Sequence, residues 1–194
     1  MSATAIVLNG PSSSGKSTIA AELQTLWPRP LWVTGLDALI TGWPASFVEG
    51  PGEDGAPAAP STGIRIVPGD GPPPSWLPEF GEDFHALSRL AHESWARMSE
   101  GGVDLLIDHV LLDATLREQA RSSLGAAMWV GVTCDVDELE RREAERGDRH
   151  VGFASGSSAV VHIEMAYDLT VDTTLAAPAR VAQQIFDAAK ALRS

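Results

Sequence analysis

One asparagine, one cysteine, and 14 basic residues against 26 acidic ones set the first limits on this 194-residue chain. The lone asparagine, Asn9, rules out an Asn-Lys-x-Asp tetrad, with which switch GTPases read guanine. The lone cysteine, Cys134, excludes an internal disulfide and leaves the redox compartment open. It ends an apolar run, so it is expected to be a buried structural thiol. A formal charge of −12 speaks against nucleic acid, since a phosphate backbone demands Lys/Arg-rich faces. No apolar run approaches a membrane span, no basic leader opens the chain, and repeats and charge blocks are absent. The expectation is a cytoplasmic protein with neither membrane nor nucleic acid as partner; a homo-oligomer is left open. Length and an apolar content of 44% fit one domain over 1–194 with a sizeable core.

What is present begins at residue 8 with "LNGPSSSGKST". Gly10, Gly15, Lys16 and Ser17 meet G-x-x-x-x-G-K-[ST], a phosphate-cradling loop. Such a loop turns successive N–H groups into one concavity and follows them with a helix N-terminus. Gly10, Pro11, Ser12, Ser13, Ser14, Gly15, Lys16, Ser17 and Thr18 are therefore expected to hold a nucleotide. Lys16 would reach the β/γ-phosphates and Ser17 would ligate Mg²⁺. The context agrees: Ala5-Ile6-Val7-Leu8 reads as a buried strand, and Ile19, Leu23 and Leu26 fall at helical spacing before Pro28.

Further along, strands are expected at 31–35, 104–108, 126–134 and 169–172. Helices are expected at 82–100 (with an apolar stripe of Phe84, Leu87, Leu90, Ala91, Trp95 and Met98), 111–124 capped by Asp113, 136–146, and 178–192. Alternating strands and helices predict an α/β fold, a P-loop NTPase with a central five-stranded parallel sheet and helices on both faces. Ligands then sit at the carboxyl ends of the strands, where the loop at 10–17, Asp37, Asp108 and Asp172 converge. Between about 49 and 78 the composition turns to proline and glycine; only Gly63–Val67 reads as a short strand, in a functional lid or a disordered insert.

A small kinase needs a base on the acceptor side, cations over the γ-phosphate and exclusion of water. Asp37, after the second strand, is the candidate base, with helix capping as its alternative. Asp108 is placed like a Walker B acid holding Mg²⁺, with a structural role equally open. "RREAERGDR" brings Arg141, Arg142, Arg146 and Arg149, and Arg142 and Arg146 share a helix face. A lid at about 141–158 closing on the triphosphate is expected; a solvated helix, its glutamates (Glu138, Glu140, Glu143, Glu145) pairing with these arginines, is the alternative. His85, His92, His109, His150 and His162 show no metal-ligand spacing.

Taken together these pieces resemble the chloramphenicol phosphotransferase family. The resemblance spans nearly the whole chain: "IVLNGPSSSGKST", "GLDALI", "LLIDHVLLD", "WVGVTCD", "REAERGDR" and "VVHIEMAYDLTVDTT". It implies a fold similar to shikimate and nucleotide kinases, with transfer of the ATP γ-phosphate to the primary hydroxyl of chloramphenicol in the presence of Mg²⁺, and hence antibiotic resistance. It places the family's base on Asp37 and its lid arginines on Arg142, Arg146 and Arg149. Asp172 and Thr173 join the expected nucleotide site, and Ser17 with Asp108 the metal site. Trp43, Phe47, Trp76, Phe80 and His109 join Asp37 as expected contacts of a small hydroxylated acceptor. Members of that family have a shorter segment after the base, an acid where His109 stands, and less small and polar residues at Ser155–Ser158. Two other readings stand beside it: a nucleotide-binding regulator without acceptor chemistry, and a primary-metabolism kinase. The latter needs cations for an anionic acceptor, and 38–82 offers only Arg65.

Overall fold

A computed structural model describes residues 4–49, 63–70, 74–146 and 151–192. Its elements in chain order are β1 (Ala5–Asn9), α1 (Lys16–Leu26), β2 (Leu31–Gly35), α2 (Leu36–Thr41), β3 (Val48–Glu49), β4 (Ile64–Pro68), β5 (Trp76–Phe80), α3 (Glu82–Glu100), β6 (Asp104–His109), α4 (Ala114–Ser123), β7 (Met128–Thr133), α5 (Val136–Arg146), α6 (Phe153–Val160), β8 (Leu169–Asp172) and α7 (Pro178–Ala191). Five strands form one parallel sheet in the order β2-β6-β1-β7-β8. The register sets Leu8 beside Asp108, Gly35 beside Asp108 and Thr133 beside Asp172, so the carboxyl ends of the strands share one edge. A second small sheet joins β3 parallel to β4 and β4 antiparallel to β5.

The central strands are apolar on both faces through their middles, Ile6–Leu8, Leu105–Ile107 and Met128–Val130, because both faces are covered. Ile6, Leu8, Leu106, Val130 and Val132 meet Ile19 and Leu23 of α1 and Val181 and Ile185 of α7. Val7, Leu105, Ile107 and Trp129 lie in the other layer with Phe84 and Trp95 of α3 and Leu116 of α4. Among the described residues no helix is long and apolar enough to cross a membrane.

Several local expectations shift. The helix expected from 111 begins at Ala114, because the Asp113 side chain accepts the Leu116 N–H at 2.7 Å and caps it there. On α3, Leu87 and Leu90 are exposed, and the buried face carries Phe84, Ser88, His92 and Trp95. His92 explains the rotation: its Nε2 lies 3.0 Å from His109 Nε2 of β6, so a polar residue finds its partner in the core. Cys134 is half-buried, one residue past β7 rather than inside it. The Pro/Gly-rich stretch contains β4 and the first residues of β5, and its residues 50–62 and 71–73 lie outside those described. The segment Ser155–Ser158 belongs to α6, a helix the sequence reading did not foresee.

Candidate active site

The phosphate loop runs from the end of β1 to the first turn of α1. Gly15 adopts φ +85°, a left-handed conformation that a side chain would strain, and so turns the chain into the helix. Lys16 is 6% exposed; its Nζ donates to Pro11 O at 2.8 Å and lies 3.8 Å from Asp108 Oδ1. The Ser17 hydroxyl donates to Asp108 Oδ2 at 3.0 Å. From behind, Thr173 Oγ1 bridges Ser14 O at 2.9 Å and Thr133 O at 3.0 Å, tying the loop to β7. Thr173 therefore stands under the loop, while Asp172 is exposed and its side chain accepts the Thr174 N–H.

A cavity of about 320 Å³ opens over this loop, lined among others by Ser12, Lys16, Ser17, Asp37, Asp108, Arg142 and Arg146. Arg142 is steered into place, Nε donating to Glu138 and Nη2 to Thr173 O, both at 2.7 Å. Arg141 instead pairs with Glu138 and Glu145 on the solvent side. Hydrogen bonds from Arg141 and then Arg142 hold the Glu138 carboxyl down at about 2. The charged helix is thus divided: Arg141 is a solvated partner of glutamates, whereas Arg142 and Arg146 face the phosphate cavity. Arg149 lies outside the described residues.

Beside it lies a second cavity of about 330 Å³ with mostly apolar walls. Leu36 and Ile40 come from α2, Ile64 and Ile66 from β4, Pro78 and Phe80 from β5, and Phe153 and Ser157 from α6. Ser12, Asp37 and Val110 line both cavities. Asp37, in the first turn of α2, is exposed at this junction.

Of the expected acceptor contacts, Phe80 and Asp37 reach the second cavity; Trp43, Phe47, Trp76 and His109 line neither one. Trp43 is taken up by packing edge-on against Phe84, with centroids 5.4 Å apart. Phe47 ends a short 3₁₀ turn just before β3. Trp76 starts β5, its N–H donating to Gly152 O at 3.0 Å. His109 follows Asp108 on a strand, and alternation sends it to the opposite face. There it is fully buried against His92. Burial, then the neighbouring His92 and Lys16, push His109 well below the usual histidine range; burial lowers His92 to about 4.

Sequence reading set Ser157 in a small, polar stretch at the border of the expected acceptor pocket and Glu143 among the partners of the arginines; the specific contacts of both were not foreseen. Ser157 Oγ accepts the Ser12 N–H at 2.9 Å. Glu143 is 1% exposed and stands four residues after the fully buried Leu139. That i, i+4 spacing on an inward face was the available signal.

A nucleotide-phosphate loop, an acid beside its lysine and serine, arginines over it and a second cavity alongside define a P-loop phosphotransferase of the small-kinase class. The chain belongs to the chloramphenicol phosphotransferase-like protein family, whose pattern it matches over residues 3–190. Two curated relatives, from two strains of Mycobacterium tuberculosis and both named as O-phosphotransferases, are 30% identical over 194 residues, covering 96% of this chain and 82% of theirs. Solved structures share the fold at lower identity. An APS kinase from Mycobacterium tuberculosis matches with TM-score 0.61 at 17% identity over 97% of this chain and 98% of its own. A shikimate kinase from Acinetobacter baumannii matches with TM-score 0.56 at 16% identity over 95% and 92%.

Proposed function

We propose that the protein is an ATP-dependent O-phosphotransferase that moves the γ-phosphate of ATP to a hydroxyl of a small neutral molecule. Chloramphenicol or a related antibiotic is the first candidate acceptor, and resistance by inactivation in the cytoplasm is the biological reading. The observation that carries it is Asp37, which borders both the phosphate cavity and the apolar one. A carboxylate at that junction meets an acceptor hydroxyl on one side and the terminal phosphate on the other. It would orient the hydroxyl and take its proton as the oxygen–phosphorus bond forms and the bond to the leaving ADP oxygen breaks. Lys16, Arg142 and Arg146, with Arg149 as a further cation, would offset the charge that builds on the transferring group.

The Ser17 hydroxyl and the Asp108 carboxylate, 3.0 Å apart at the loop, are hard oxygen donors of the kind Mg²⁺ takes. They would hold the ion, which when bound neutralises charge between the β- and γ-phosphates. The loop residues 10–18, with Thr173 beneath and Asp172 beside, would hold the nucleotide. The described residues lining the second cavity include no Lys or Arg to offset the charge of a carboxylate or phosphate on the acceptor. This favours a neutral, largely apolar alcohol over an anionic metabolite of the shikimate type.

The test is an ATP-consumption screen over hydroxylated antibiotics and metabolites, with products identified by mass. Phosphorylated chloramphenicol supports the full reading. Turnover of another alcohol alone keeps the kinase and moves the substrate. Bound ATP with no phosphorylated product across the panel would leave a nucleotide-binding regulator.

A further inference from the structure

Helix α6 reaches both cavities' surroundings, and a single buried carboxylate anchors its start. Glu143 lies on α5 between Arg142 and Arg146, yet it does not line the phosphate cavity. Its Oε2 accepts the Gly152 N–H at 2.7 Å and its Oε1 accepts the Ala154 N–H at 2.8 Å. The nearby Glu138 and Glu145 pair with arginines; Glu143 is committed to the first turn of the next helix. Two N–H donors and the positive end of a helix are what a buried carboxylate requires.

From that anchor α6 reaches three parts of the site. Ser157 takes the Ser12 N–H of the phosphate loop. Phe153 and Ser157 line the acceptor cavity. Gly152 O accepts the Trp76 N–H, and Gly156 lies so near β5 that a Cβ there would sit 2.3 Å from Trp76 O. Because β5 supplies Pro78 and Phe80, a displacement of α6 moves the acceptor wall with it. At the far end, Val161 O accepts from the buried Asn9 side chain at 2.9 Å.

We propose that Glu143 is a positioning residue through which α5 sets the place of α6, so that nucleotide at Arg142 and Arg146 and acceptor at Phe153 and Ser157 bind interdependently. The inference rests on the nucleotide reading above. Interior packing passes a shift of one rigid element to the next rather than absorbing it, and such coupling is reciprocal.

The experiment needs no knowledge of the acceptor. Hydrogen exchange of the full chain is followed with and without a non-hydrolysable ATP analogue and Mg²⁺, in wild type and in Glu143→Gln. Glutamine keeps the size but turns an NH₂ toward one of the two N–H donors. In wild type the analogue should slow exchange at residues 10–18 and also at 153–160 and 76–80, by about fivefold or more. In Glu143→Gln the protection at 10–18 should persist, with analogue affinity within about threefold, while that at 153–160 and 76–80 is lost. Glu143→Asp, which keeps the carboxylate at shorter reach, should restore part of it; if the glutamine variant fails to fold, the aspartate variant is compared directly with wild type. Equal protection of α6 and β5 in wild type and variant overturns the proposal, as does wild-type protection confined to 10–18. No protection at 10–18 in wild type sinks the nucleotide reading, and this inference with it.

Discussion

Lys16 has been drawn out of solvent and is held by a carbonyl 2.8 Å away and a carboxylate 3.8 Å away, so its charge is aimed before any phosphate arrives. Lys16→Ala should cut phosphoryl transfer by ~10²-fold or more, because one aimed contact to developing charge is commonly worth that much. A retained rate above about a tenth of wild type in a coupled ATP assay would count against the assignment. Asp37→Asn should keep nucleotide binding, read by calorimetry, and lose transfer by ~10²–10⁴-fold. The arginines of α5 should separate. On the proposed mechanism Arg146→Ala should lower kcat more than nucleotide affinity, since a contact to the transferring phosphate would strengthen as charge shifts. Arg141→Ala, whose side chain is half exposed and engaged with glutamates, should leave both within about twofold, as a surface ion pair warrants. Equal losses at 141 and 146 would return the whole helix to a solvated role.

Among the elements, those with a regular period were legible and those without one were not. β1 and β2 begin as short apolar runs, β8 alternates apolar and polar residues, and α5 and α7 repeat at helical spacing, so their bounds were readable to within a residue or two. α6 is FASGSSAV: small residues packed on several sides leave no polar stripe to reveal a helix. β5 was hidden by Pro78, which a strand tolerates here because β5 is an edge of its sheet. Packing of α6 on β5 gives a prediction of its own. Gly156→Ala must part the two backbones and should destabilise by about 1–3 kcal/mol in denaturant titration. The contact of α3 with β6 carries a pH signature. His92 is lowered from 6.5 to about 4 by burial, so below pH 6.5 the unfolded chain binds more protons than the folded one. Stability should be fully present above about pH 6.5 and fall as pH drops toward 4. A double variant, His92→Leu with His109→Leu, should flatten that slope; an unchanged slope would assign it to other groups.

For the molecule as a whole, the test is whether the apolar cavity receives the acceptor. Ile66→Ala, at a wall of the apolar cavity that does not line the phosphate cavity, should raise the acceptor KM several-fold and leave nucleotide affinity unchanged; a parallel loss of both would place the acceptor elsewhere. While the family followed from the resemblance of motifs along the whole chain, contiguous spacing alone was sufficient for the phosphate loop, the strand and helix succession, and the positions of Asp37, Asp108 and the two arginines. Each depends on residues within one strand, turn or helix, where period and backbone geometry decide which side chains face together. The apolar second cavity was beyond such reading. Its walls come from α2, β4, β5, the turn after β6 and α6, and the bond that joins loop to wall, Ser12 to Ser157, crosses 145 residues of chain. Trp43, Phe47, Trp76 and His109 are as apolar or aromatic as an acceptor wall could want, yet packing against Phe84, Gly152 and His92 engages three of them elsewhere. Residue type sets what a side chain can do, but only the stacking of distant elements settles which face it turns to the cavity and which to the core.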